Sequence, residues 1–96
     1  MPAYVLAEVA VRDAVLYEPY RPFASASIAR FGGRFIVRGG PAVLLEGEGA
    51  PERIVVIEFP DAQRARQWYE SAEYQKAAKI RQSASRARLV LVEGVG

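Results

Sequence analysis

The chain contains no cysteine and no histidine. The first absence excludes disulfides, thiol chemistry and cysteine-built zinc sites. The second excludes histidine-ligated haem and every nucleophile activated by an imidazole base. A dominant charge is missing too. Thirteen basic residues face 11 acidic ones, and a net charge of +2 gives no reason to expect a polyanion as partner. No apolar run approaches the roughly 20 residues of a membrane helix. The opening Met1-Pro2-Ala3-Tyr4-Val5-Leu6-Ala7-Glu8 lacks the basic start of a secretory signal. These absences lead us to expect a cytoplasmic protein with no membrane or nucleic-acid partner, no cofactor and no metal.

What is present is apolar. Hydrophobic residues make up 51 % of 96 residues. We expect one domain over residues 1–96, a size that buries only about 60–65 % of its unfolded surface. The surplus is most simply hidden against a second copy.

Ala3 to Val11 reads as a strand with Val5 and Val9 on one face and Tyr4, Leu6 and Glu8 on the other. Asp13 is a good helix cap. Pro19 and Pro22 are tolerated only in a first helical turn, so an irregular turn over Ala14 to Glu18 should precede a helix from Pro19, which Gly32-Gly33 ends. Arg34 to Arg38 is a short strand, broken by Gly39-Gly40-Pro41 and resumed over Ala42 to Glu46. Arg53 to Phe59 is a strong strand. Asp61 and Ser71 cap two successive helices, the second over Ala72 to Ser83, and Arg88 to Glu93 is the last strand. The order β-α-β-β-α-β predicts an α+β, ferredoxin-like fold with both helical segments on one face of an antiparallel sheet.

The second sheet face should be polar if it met water. Instead Tyr4/Leu6, Ile54/Val56 and Leu89/Leu91 are expected there, with only Glu8, Glu58 and Glu93 charged. Val5/Val9, Val55/Ile57/Phe59 and Val90/Val92 are expected beneath the helices. Burying even ~500 Å² per copy would be worth about 10 kcal/mol before association costs. A homodimer packed sheet to sheet is therefore expected.

The run Tyr20…Gly32-Gly33-Arg34-Phe35-Ile36-Val37-Arg38-Gly39-Gly40, then Leu45-Glu46-Gly47, Val56-Ile57-Glu58-Phe59-Pro60-Asp61, Ala65…Trp68-Tyr69, Ser71…Tyr74-Gln75 and Arg81, resembles the family of domain of unknown function 1330. The resemblance covers nearly the whole chain. It implies a dimeric α+β barrel, the architecture also seen in cofactor-free monooxygenases, muconolactone isomerases and haem-degrading enzymes. It implies no activity. The Pro19/Pro22 pair departs from the family's pattern.

Arg34 and Arg38, four apart on a strand, should share a face. Arg38 falls near Glu58 if Gly39-Gly40 is a bulge, and Arg34 does if it is a turn. Such a pair would fix register, or Arg38 could hold a ligand carboxylate through its planar fork. Glu58, Glu8 and Glu93 are candidates for acid/base work if an apolar pocket raises their pKa. Their spacing is not that of a calcium loop. Tyr17, Tyr20, Trp68, Tyr69 and Tyr74 are either packing between helices and sheet or the lining of a small-molecule cleft. Ser71 reads as a cap. The glycine turns neither follow a strand nor open a helix, so they are not phosphate loops. Tyr4 is the one aromatic on the open face, too few for base stacking on RNA.

The expectation is a homodimer that binds a small organic molecule, aromatic or carboxylated, between helices and sheet. Tyr20, Arg38, Glu58, Trp68 and Tyr74 are the candidate ligand-binding residues. The alternatives are a cofactor-free monooxygenase or isomerase, or a purely structural dimer in which these residues only pack.

Overall fold

The computed structural model describes residues 1–95, and Gly96 lies outside them. Strand β1 (Ala3–Val11) leads to a single helical turn, α1 (Ala14–Tyr17), capped by Asp13, which accepts a hydrogen bond from Leu16 N at 3.1 Å. Helix α2 (Tyr20–Arg30) begins directly after Pro19, and Pro22 falls in its first turn, where no N–H is needed. Strand β2 (Arg34–Arg38) follows, then β3 (Arg53–Phe59). Helix α3 (Ala62–Glu70) is capped by Asp61 and α4 (Ala72–Ala84) by Ser71. Strand β4 (Ser85–Glu93) starts where α4 stops, with no loop between them.

The sheet order is β2-β3-β1-β4, antiparallel throughout. The described residues form a slab of 32 × 32 × 17 Å, thin enough for one helical layer on one sheet. The core lies between these layers. Trp68, Tyr74, Ala77 and Ala78 are 0 % exposed, packed with Phe59, Ile28, Val5 and Ile57. Alanines on α4 let its backbone approach α2 closely. Gly33 serves the same layer from the other side, because a Cβ there would lie 2.6 Å from the Phe59 ring.

Three sequence expectations are corrected. Leu89 lies opposite Ala7 and Leu91 opposite Val5, so these two leucines face the helices and Val90 and Val92 face outward. The four residues Leu89 to Val92 are all aliphatic, so alternation carried no phase. Second, residues 42–46 form no strand; residues 40–52 are irregular and exposed. The chain turns away at Gly39, whose φ of +70° suits glycine. Third, Arg34 and Arg38 do not share a face. A register shift between Phe35 and Val37 places Arg34 opposite Glu58 and Arg38 opposite Val55, on the other side.

The face away from the helices carries Leu6, Val37, Val90 and Val92, each 40–45 % exposed, around partly buried Ile54 and Val56. Among the described residues no helix is long and apolar enough to cross a membrane.

Candidate functional site

Aromatic side chains from three helices meet beneath the helical layer. Asp61 starts α3 so that Trp68 points inward, and Ser71 restarts the chain as α4 so that Tyr74 stacks on it, with ring centroids 4.0 Å apart. The Trp68 indole N–H donates to Ser27 Oγ at 3.0 Å, and Ser27 Oγ donates to the Ala24 carbonyl at 2.9 Å. Tyr20 and Tyr74 share a hydroxyl–hydroxyl bond of 2.8 Å, and Arg81 Nε donates to Tyr74 Oη at 3.4 Å. Three of the five candidate residues, Tyr20, Trp68 and Tyr74, are therefore contiguous.

Arg38 stands near this cluster, at the edge of the helical layer. Its guanidinium lies 4.1 Å over the Phe35 ring and donates to Ser25 Oγ at 3.0 Å. It is exposed and has no carboxylate partner among the described residues, so Arg38→Ala should change stability by no more than about 0.5 kcal/mol in urea unfolding. A loss above about 1 kcal/mol would mean that the guanidinium carries a structural bond.

Glu58 lies across the sheet from the other four. Its carboxylate accepts from Arg34 Nε at 2.8 Å and from Tyr4 Oη at 3.3 Å. The Arg34 bond, aided by Tyr4, holds its pKa below the usual carboxylate range. Arg34 itself is largely exposed. Glu8 and Glu93 lie on exposed strand positions. Among the described residues, no three histidine, cysteine, aspartate or glutamate side chains group as metal ligands.

Two spaces open between helices and sheet. On the β4 side, α3, the end of α4 and β4 frame a groove of about 560 Å³. Trp68, Arg81 and Ser85 form its base, Tyr69, Leu89 and Leu91 its walls, and Arg66, Glu70 and Arg86 its rim. On the opposite side, beneath α1 and α2, Tyr17, Tyr20 and Arg38 border a chamber of only about 40 Å³. Arg81 borders both.

Arg81 was not among the sequence candidates. It is 5 % exposed, and no carboxylate lies within ion-pair distance of it among the described residues. The available signal was its place on the buried helical face with Tyr74, Ala77 and Ala78, where a charge is out of character. Burial lowers its pKa, but the phenol oxygens of Tyr74, Tyr20 and Tyr69 outweigh that effect, so the net shift is upward and the cation persists.

Tyr20 shows the opposite balance. Burial first, and Tyr74 second, push its phenol well above its ordinary value. Below pH ~10 the phenol is protonated in folded and unfolded chains alike, and its contribution to stability is complete. Above that pH the unfolded chain ionises first, and the contribution is lost as pH rises toward the folded pKa. Tyr20→Phe should therefore flatten the fall in melting temperature above pH ~10, while costing about 1 kcal/mol at neutral pH for the lost hydroxyl bond. Parallel alkaline curves for the two proteins would contradict this assignment.

A four-stranded antiparallel sheet in the order β2-β3-β1-β4, covered by helices on one face only, defines an α+β protein of ferredoxin-like fold. The chain belongs to the family described as domain of unknown function (DUF1330), whose model matches residues 2–95. It is similar to a protein of unknown function from Rhodopseudomonas palustris, with a TM-score of 0.81 and 21 % identity over 99 % of this chain and 83 % of that one. A dimeric ferredoxin-like protein of unknown function from a Jannaschia species matches with a TM-score of 0.71 and 12 % identity, over 98 % of this chain and 100 % of that one. SnoaB, a cofactor-independent oxygenase from Streptomyces nogalater, matches with a TM-score of 0.69 and 17 % identity, over 99 % and 94 %. Identities this low establish the fold alone. A comparison with curated proteins finds no match.

Proposed function

We propose that the protein is a homodimer that binds a small organic molecule, aromatic in body and carboxylated at one end, in the groove between α3–α4 and β4. The observation that carries this reading is Arg81: a buried arginine without a carboxylate partner among the described residues, lining a groove of about 560 Å³. That volume falls within the usual range for small-molecule sites. The mixture of Leu89, Leu91 and Tyr69 with one fixed cation suits an apolar ligand held by an anionic end. Tyr74 fixes Arg81 Nε, and Tyr20 in turn holds the Tyr74 hydroxyl, so the guanidinium is positioned before a ligand arrives. Of the five candidate residues Trp68 lines this groove, Tyr74 and Tyr20 act on it only through Arg81, and Arg38 and Glu58 lie outside it.

The second copy is proposed to cover the outward sheet face. The slab's 32 × 32 Å faces are large enough for the ~800 Å² per partner of a stable interface. Similar proteins from Jannaschia and Bacteroides fragilis are described as dimeric, which supports this assembly.

Trp68 is the chain's single tryptophan and forms part of the groove's base, so its fluorescence reports occupancy directly. Titration with benzoate and 1-naphthoate should give saturable changes, while the neutral alcohol 1-naphthalenemethanol should bind at least tenfold more weakly. Arg81→Gln should remove that preference, because a hydrogen bond to a charged group contributes about 1.5–3 kcal/mol. Equal responses to acid and alcohol, or none to any of the three, would overturn the reading.

A further inference from the structure

The chamber beneath α1 and α2 has an unusual lining. Arg21, Arg38, Arg53 and Arg81 all border it, together with Tyr17 and Tyr20, and no aspartate or glutamate does. The two arginine–carboxylate pairs among the described residues, Arg30–Glu73 and Arg34–Glu58, lie elsewhere. One of the four arginines is buried as a residue, and another has an enclosed donor atom. Arg81 is 5 % exposed, and Arg53 Nε is enclosed without any hydrogen-bond acceptor. A buried donor on a charged group left without an acceptor is costly, and a native fold that keeps one calls for an explanation.

The position of Arg53 is enforced by the backbone. Its guanidinium packs against Gly39, where a Cβ would collide with Arg53 Nη1. Gly39 itself is held by its N–H donating to the Ile54 carbonyl at 2.8 Å, in a left-handed conformation that also favours glycine. The turn that ends β2 therefore leaves a slot for this side chain. Burial raises the Tyr17 pKa, and Arg53, Arg21 and Arg81 each pull it back. The rest of the lining is apolar, from Val9, Ile28, Phe35, Val55 and Ile57 among others, so the arginines are the charged groups at this space and no carboxylate of the described residues lines it.

We propose that this chamber binds a small monovalent anion of about halide size, held by Arg53 and Arg81 with Arg38 at its mouth. Its volume of about 40 Å³ sets the class. A space that admits water-sized spheres over about 40 Å³ has room for a halide or a formate-sized ion. The site shares Arg81 with the β4 groove and takes its other cations, Arg53 and Arg38, from residues that do not line the groove. An anion that binds only the folded chain raises stability by mass action.

Melting temperature should rise saturably with sodium chloride or bromide, relative to sodium gluconate at equal ionic strength, by several degrees. Equal ionic strength keeps charge screening constant between the salts. Bromide-soaked crystals should show an anomalous peak within about 3.5 Å of the Arg53 and Arg81 guanidinium groups. Arg53→Gln should abolish the chloride increment. If that variant does not fold, Arg38→Gln, a change at an exposed position, should weaken the apparent affinity several-fold. In gluconate, where no halide competes for Arg81, neither variant should alter the 1-naphthoate titration of the groove, so failure of this proposal and failure of the groove reading can be told apart. Identical melting in chloride and gluconate would overturn the proposal, as would a bromide peak absent from the chamber. A chloride increment unchanged in both arginine variants would do the same.

Discussion

Trp68→Ala should destabilise the folded chain by about 3–5 kcal/mol, the range for truncating a fully buried aromatic. Trp68 is 0 % exposed and joins three parts of the fold. Its ring packs on Tyr74 at 4.0 Å and on Phe59 at 5.3 Å, and its indole N–H reaches Ser27 on α2. Removing it opens a cavity between the helices and the sheet and leaves Ser27 Oγ without its donor. Trp68→Phe should cost less, about 1–2 kcal/mol, because Ser27 still bonds Ala24 and most of the ring volume remains. Urea unfolding followed by circular dichroism at one fixed concentration checks both, since either change removes the tryptophan signal. A loss below about 1 kcal/mol for the alanine variant would mean that the core closes without this ring.

The second large effect is expected on assembly. Leu6→Lys should weaken the proposed homodimer by at least 100-fold while leaving the isolated chain folded. Leu6 sits on the central strand β1, opposite Val56 on one side and Val90 on the other. It is 41 % exposed in the single chain, so a lysine there can reach water when alone. Between two packed sheets the same ammonium would be buried without a partner, once per copy, at a cost of several kcal/mol each. Circular dichroism should stay native and the sedimentation coefficient should fall. If Leu6→Lys keeps the wild-type mass, the outward face is not the contact.

The legible and illegible parts of this fold divide for physical reasons. Asp61 and Ser71 each cap the helix that their sequence context announced, because capping is a local bond between neighbours, whereas Asp13 caps a helical turn over Ala14–Tyr17 where an irregular turn was expected. Strands β1 and β3 alternate clearly enough to fix their faces. β4 does not, since Leu89, Val90, Leu91 and Val92 satisfy either phase, and only pairing with β1 decides. The irregularity between Phe35 and Val37 has no glycine or proline to announce it, yet it sends Arg34 and Arg38 to opposite sides. Whether Gly39-Gly40 is a bulge or a turn left open which arginine would meet Glu58, and the answer is Arg34.

The candidate site shows the same division. Tyr20, Trp68 and Tyr74 were found because helical spacing places them inward. Glu58 alternates with Ile57 and Phe59, so strand parity alone carries it to the far face. Arg53 could not be recognised from spacing, because its burial depends on the turn at Gly39, far off in sequence. Arg81 was visible as a charge on an apolar helix face, but its neighbours across the groove come from β4 and α3, which only tertiary structure brings together.

The sheet that is apolar on both sides is the premise beneath the proposed assembly. Sedimentation equilibrium of the unmodified protein at micromolar concentration tests it most directly. The expected mass is about twice 10.6 kDa. A homogeneous species of 10.6 kDa would contradict it.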